Sequence, residues 1–216
     1  MAARVGTALP FDIVAGTSQA VTVPATATGM VVFWGGYDGG GQSSINSMTL
    51  DGDTFTVFNL QPTQSEFYGC AVLALPSTGA QTLSWTRTEL DAEGTGLIVF
   101  VNAVDTANML RDQDGVDRTS SGTNTATVNS ATDDLVIAQH LDYNANPVTG
   151  SGQTEFVSND TTGVSYRQDG FQVNSPGGTT TNAVGTTGYG SLVAVSLRNA
   201  AGGASTTKFL SLLGTG

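Results

Sequence analysis

Between Leu97 and Val101 the chain reads Leu-Ile-Val-Phe-Val, flanked by Gly96 on one side and stopped by Asn102 on the other. Successive side chains of a strand point to opposite faces, so this segment is apolar on both. An antiparallel strand normally leaves one face polar. A strand like this belongs at the centre of the molecule, with long loops or another protein over its second face. Met30 to Trp34 (Met-Val-Val-Phe-Trp) has the same character and ends at Gly35-Gly36. Both runs are too short for buried helices, and both are β-branched or aromatic and bounded by glycine.

The rest of the chain supplies more strands of the same kind. Residues 1 to 9 are mostly small and read as an arm, and Phe11, Ile13 and Val14 as a short first strand. Gln19 to Pro24 alternates, with Val21 and Val23 on one face. Asp51-Gly52 lies between Ser47–Leu50 and Thr54–Phe58. An Asx-Gly pair between β-prone runs marks a tight hairpin, because both central residues need positive φ. Strands follow at Phe67–Leu75, Gln81–Arg87, Thr123–Val128, Asp134–Leu141 and Gly188–Arg198, with a further hairpin around Asn159-Asp160. Asn102 to Gly122 reads as a long polar crossover, tucked onto the body by Met109 and Leu110. Residues 199–216 read as a Gly/Ala/Ser/Thr linker and an apolar tail, which leaves 10–198 as one sandwich domain.

Two pairs of segments look alike. Ala25-Thr26-Ala27-Thr28-Gly29-Met30-Val31-Val32 resembles Ser130-Ala131-Thr132-Asp133-Asp134-Leu135-Val136-Ile137, and Gly94-Thr95-Gly96-Leu97-Ile98-Val99 resembles Gly188-Tyr189-Gly190-Ser191-Leu192-Val193-Ala194. As a repeat, these make two similar half-sets of antiparallel strands packed face to face. Strands of one class also look alike without any repeat. Either way the fold class is an all-β, antiparallel β-sandwich.

Composition narrows function mostly by exclusion. Charged residues are 12 % of the chain and the net charge is −11. Nucleic-acid binding needs clustered Lys and Arg, and the seven here are scattered. An anionic membrane surface is disfavoured for the same reason, and no apolar run approaches the roughly 18 residues of a membrane span. The opening MAARVGTALPFDIV lacks the apolar core of a signal peptide. These features point to folding in a cytoplasm, although the Thr/Gly-rich β composition suits a protein that works outside a cell.

The residues that could carry chemistry form no catalytic constellation. His140 is the sole histidine and no Gly-x-Ser-x-Gly elbow is present, so a Ser-His-Asp triad has little to stand on; His140 reads as a strand-end residue reaching solvent. Cys70, the sole cysteine, sits in an apolar run and reads as an inert buried thiol. Together they supply too few ligands for zinc. Asp112-Gln113-Asp114-Gly115-Val116-Asp117 superficially has calcium-loop spacing, but lacks the terminal Glu of an EF-hand and reads as a solvated loop. Glu66, Glu89, Glu93 and Glu155 sit near turns or strand ends, and nothing selects a hydrolytic pair among them. No catalytic residue, metal site or cofactor is expected. Trp34 and Trp85 read as core. Tyr37 and Tyr143 occupy corresponding loops, which makes them the better pair for stacking on a sugar ring.

The order of several short motifs carries a family resemblance. Thr28-Gly29-Met30-Val31-Val32-Phe33-Trp34 is a small-residue lead into a strand. The hairpin Ile45-Asn46-Ser47-Met48-Thr49-Leu50-Asp51-Gly52-Asp53 follows, then Leu75-Pro76-Ser77-Thr78-Gly79-Ala80-Gln81-Thr82-Leu83-Ser84-Trp85, and then Val99-Phe100-Val101-Asn102-Ala103-Val104-Asp105. In this order, over roughly residues 25 to 198, the chain resembles bacteriophage virion proteins and phage-like bacterial β-sandwich proteins. Asn102-Ala103 departs from that pattern, which has a Gly there. The resemblance implies a jelly-roll-like sandwich, made in the host cytoplasm and located in the virion, without catalysis. The expected function is capsid decoration (cement) or head-associated fibre. The expected partners are the major capsid protein or another virion protein, with homo-oligomerisation. Lys208, Phe209, Leu210, Leu212 and Leu213 are the expected docking element, since apolar side chains on a loose tail call for a partner; folding back onto the chain's own body is the other way to cover them. The alternative function is a glycan-binding adhesion module on a tail fibre or a secreted bacterial protein, using Tyr37 and Tyr143.

Overall fold

The computed structural model describes residues 1–13, 16–37, 43–60, 66–88, 93–118, 122–143, 148–149, 153–160, 166–186 and 190–200. Among the described residues every regular element is a strand, and every pairing is antiparallel.

The first half contains β1 (Ala3–Asp12), β2 (Ser18–Val23), β3 (Gly29–Tyr37), β4 (Ser44–Leu50), β5 (Asp53–Thr54), β6 (Thr56–Asn59), β7 (Glu66–Ala74), β8 (Gly79–Thr88) and β9 (Glu93–Asn102). They form one sheet ordered β1-β9-β3-β7-β6 and a second ordered β2-β8-β4-β5. The Asp51-Gly52 hairpin is present, with both residues at positive φ (44° and 104°). β5 and β6 behave as one strand that changes sheets at the buried Phe55. This alternation of strands between two facing sheets is a jelly roll. Its core joins Met30, Val32, Trp34, Ile98 and Phe100 to Met48, Leu50, Leu83 and Trp85.

The second half contains β10 (Leu110–Arg118), β11 (Gly122–Tyr143), β12 (Val148–Thr149), β13 (Thr154–Asp160), β14 (Tyr166–Thr186) and β15 (Gly190–Leu197). The order β10-β15-β11-β14 repeats β1-β9-β3-β7. The long strands β11 and β14 each do the work of two. Past a register shift between Thr132 and Leu135, where Asp133 takes φ 70°, the pair bends. Residues 122–132 of β11 then stand where β2 stands and residues 135–143 where β3 stands. Likewise the start of β14 matches β7 and its end matches β8. β12 pairs with the end of β14 as β4 does with β8, and β13 with its start as β6 does with β7. The matched sequence segments thus lead equivalent strands, and each half is a closed sandwich in itself.

The two jelly rolls pack through equivalent sheets. Val31, Phe33, Leu97, Val99 and Val101 face Leu135, Ile137, Val193, Val195 and Leu197. This answers the question raised by Leu97–Val101: its second face is covered by the other half of the same chain, not by loops. A smaller core closes the second sandwich, with Ala126 and Val128 over Val136, Ala138, Leu192 and Ala194.

Two expectations change. Residues 3 to 9, read as an arm, belong to β1 and pair with β9. Their small side chains fit a tight site: Ala2 and Ala8 are buried in the shared core, and Gly6 (φ 69°) lies where the pairing shifts register. The crossover Asn102–Gly122 contains β10, whose polar sequence suits an edge strand.

Candidate functional site

The molecule has two distinct ends. At one, the chain begins and the described chain stops. Ala3 pairs with Asn102, Val104 bridges Asn199, and Ala200 N donates to Ala103 O at 2.7 Å. Leu75 follows Ala74, which pairs with Gly29, so it belongs to this end too. It sits in the left-handed region (φ 51°) and is 64 % exposed; Met1, beyond Ala3, is 70 % exposed. A leucine held at positive φ with its side chain in water is disfavoured on both counts.

Asp134 holds the segment that follows β15. It is 3 % exposed at the bend of β11. Its carboxylate pairs with Arg111, accepts from Ala131 N at 2.7 Å and Asn199 N at 3.1 Å, and lies 3.5 Å from Ser196 Oγ. Burial pushes the carboxyl up, but the Arg111 guanidinium and the two backbone donors outweigh it and hold it below the usual range. Arg111 is held above its ordinary value by the same hydrogen bond. Sequence reading missed this pair. Its one signal was an acid, Asp134, directly heading an apolar strand.

The opposite end carries the tyrosines. Tyr37 is the last residue of β3 and Tyr143 the last of β11, so they stand at strand ends rather than in loops. The two strands lie over one another and run the same way: a Cβ on Gly35 would meet Ser191 Oγ at 2.9 Å and Leu141 Cβ at 3.7 Å. Tyr37 and Tyr143 each lie two residues beyond that contact. Tyr37 is in register with Glu66 and Glu93, and Tyr143 with Tyr166. The structure therefore brings Tyr37 and Tyr143 to one end. Lys208, Phe209, Leu210, Leu212 and Leu213 lie outside the described residues.

Other candidates become structural. His140 is fully buried instead of reaching solvent, because β11 runs on to Tyr143 and folds its first part over the ring. Asn124 Nδ2 donates to Gly190 O at 3.1 Å and lies 3.4 Å from His140 Nε2, which leaves Nε2 as an acceptor. The sequence held no sign of this, since the two residues meet only through the bend. Burial pushes the Cys70 thiol up to about 12. Trp34 and Trp85 are core, and Trp85 Nε1 donates to Ile13 O at 3.1 Å.

The Asp112–Asp117 run is strand, not loop. Asp114 accepts from Thr127 N at 2.6 Å, and Asp112 from Asn129 N at 2.7 Å and Asn129 Nδ2 at 2.9 Å. With Asp134 on Ala131 N, carboxylates hold three alternate N–H groups along β11. Among the described residues no group of three or more His, Cys, Asp or Glu is placed to hold a metal. No family model, no curated protein and no solved structure matches this chain.

Proposed function

We propose that the protein is a non-catalytic virion component, a capsid decoration or head-associated fibre subunit that binds capsid subunits non-covalently. The resemblance in motif order supports this reading, and so does the jelly roll of each half, an architecture used by viral capsid domains as well as by lectin domains. The observation that carries the reading is the character of one end: it holds the exposed and strained Leu75 and also Ala200, after which the sequence continues to Lys208, Phe209, Leu210, Leu212 and Leu213. A leucine held exposed at this end suits a surface that is covered on assembly.

The test is incorporation into particles. Deleting 205–216 is expected to abolish occupancy on purified particles, and Leu75→Asp to lower it, with the melting profile of the free protein unchanged. Full occupancy of the deletion variant overturns the docking role of the tail.

A further inference from the structure

We infer that the outer edge of β2 is the interface through which two copies of this chain pair, antiparallel about Ala20, so that the four-stranded sheet of one runs on into that of the other. This goes beyond the docking role of the Leu75 end and does not depend on it.

β2 lies at the border of its sheet and pairs with β8 alone. Along such a strand the backbone groups alternate in direction. Trp85 N donates to Thr17 O at 2.9 Å, so Thr17, Gln19, Val21 and Val23 turn their groups toward β8. Opposite Ala20, Thr82 donates its N–H to Asp51 Oδ1 at 3.1 Å and accepts from Asp51 N at 3.0 Å, on the far side of β8. Ala20 therefore points its own N–H and C=O away from β8, and Ser18 and Thr22 do likewise. The side chains of these three are exposed, small and uncharged. Among the described residues nothing caps Ala20 N or Thr22 N. The outward carbonyl of Ala20 meets only the side-chain amide of its neighbour Gln19, at 2.9 Å.

Elsewhere the chain treats such an edge differently. The counterpart strand in the second half, residues 122–132 of β11, has its N–H groups held by Asp112, Asp114 and Asp134. β1, the counterpart of β10, places no carboxylate on β2; its Val5 and Leu9 pack against the first core instead. Ser18–Val23 also lacks the lysine, proline or bulge that blunts an edge, and it keeps one register with β8 throughout.

A regular, uncapped edge is a template for another strand, and this one fits its own copy. About a two-fold axis at Ala20, Ala20 meets the partner's Ala20 and Ser18 meets the partner's Thr22, each pair exchanging both backbone bonds. Only methyl and hydroxyl side chains face one another across the join. Two chains of net charge −11 thus meet where neither carries a charge. Pro24 ends the run on each side: it has no N–H to give, and it packs so closely on β1 that a Cβ on Gly6 would lie 3.0 Å from its ring.

The test is sedimentation velocity on the isolated full-length chain, from about 1 to 500 µM. The join is small, so a dimer with a dissociation constant on the order of tens of micromolar is expected. Ala20→Lys and Ala20→Glu each set like charges against each other at the axis and should weaken the dimer about tenfold. Mixed in equal amounts, the two variants should restore it as a heterodimer. Ala20→Pro removes an N–H that points to solvent, so it should fold and stay monomeric. If it fails to fold, the charge pair decides. Leu75→Asp and deletion of 205–216 should leave the dimer unchanged, which separates it from docking. A monomer throughout the range, a dimer unmoved by the Ala20 substitutions, or no restoration on mixing overturns the inference. So does a full-length monomer that dimerises only once 205–216 are deleted, since the tail would then be the strand on this edge.

Discussion

Burial pushes the Asp134 carboxyl up, yet Arg111 and two backbone N–H groups outweigh it and hold it below the usual carboxylate range. Its depressed value fixes the sign of the pH dependence. The stabilisation is complete above the unfolded carboxylate value, about 3.9, and is lost as pH falls through the lower folded value. Asp134→Ala should cost about 3 kcal/mol near neutrality, because it leaves Arg111 and two N–H groups without their acceptor. Urea titrations should show that gap shrinking in acid. Cys70 offers a second check. With its thiol pushed up to about 12, it should resist a disulfide reagent at about pH 8 in the native protein and react fully once unfolded. Cys70 was legible in the sequence because an apolar run surrounds it. His140 was not, because its roof, Asn124, is brought over it by a bend.

At the scale of elements, the chain closes its strand edges with side chains. β5 reaches only Thr49 and Leu50 of β4, and beside them the amide of Asn59 stands in for a strand. Ile45 N donates to Asn59 Oδ1 at 3.0 Å and Asn59 Nδ2 donates to Ile45 O at 2.9 Å. Asp112 and Asp114 do the same along β11. Such capping blocks pairing with another chain. Asn59→Ala should cost about 1–2 kcal/mol. Asp112→Ala with Asp114→Ala should speed amide exchange at Thr127 and Asn129 selectively, which hydrogen exchange can read. Most strands were legible, because alternation and turn residues mark them. β10 was not: Leu110–Arg118 has the composition of a loop, and its aspartates are explained only by the N–H groups they meet. The strand β1 hid for the opposite reason, since small residues that pack closely look like a featureless arm.

For the whole molecule, the shared core makes each jelly roll depend on the other. Residues 1–104 alone would expose Val31, Phe33, Leu97 and Val99 as one apolar sheet face. Such a fragment should bind a hydrophobic dye and aggregate, whereas the full chain should unfold in a single transition, measurable by calorimetry together with light scattering. Arg4 adds a polar tie between the halves, with its guanidinium 3.8 Å over the Phe156 ring and Nε donating to Gln172 Oε1 at 2.7 Å. The sequence carried the repeat in two short segment pairs. It concealed the doubling of the fold, because β11 passes from one sheet to the next without the glycine or proline that separates β2 from β3, and because Pro176-Gly177-Gly178 in β14 reads as a turn and not as the middle of one long strand. The correspondence of Tyr37 and Tyr143 was visible in the sequence, while the pairing of Tyr37 with Glu66 and Glu93, and of Tyr143 with Tyr166, follows only from strand register.

The pairing of β1 with β9, and of β10 with β15, also sets an order in time. β1 finds its partner only after some 90 further residues, the interval from Ala3 to Glu93, and β10 waits nearly as long for β15. Pairings this distant in sequence make for slow folding. Through that interval the most apolar strands stand unfinished, with one face covered at best. Until the late strands arrive, those apolar sheets are open to association with other chains.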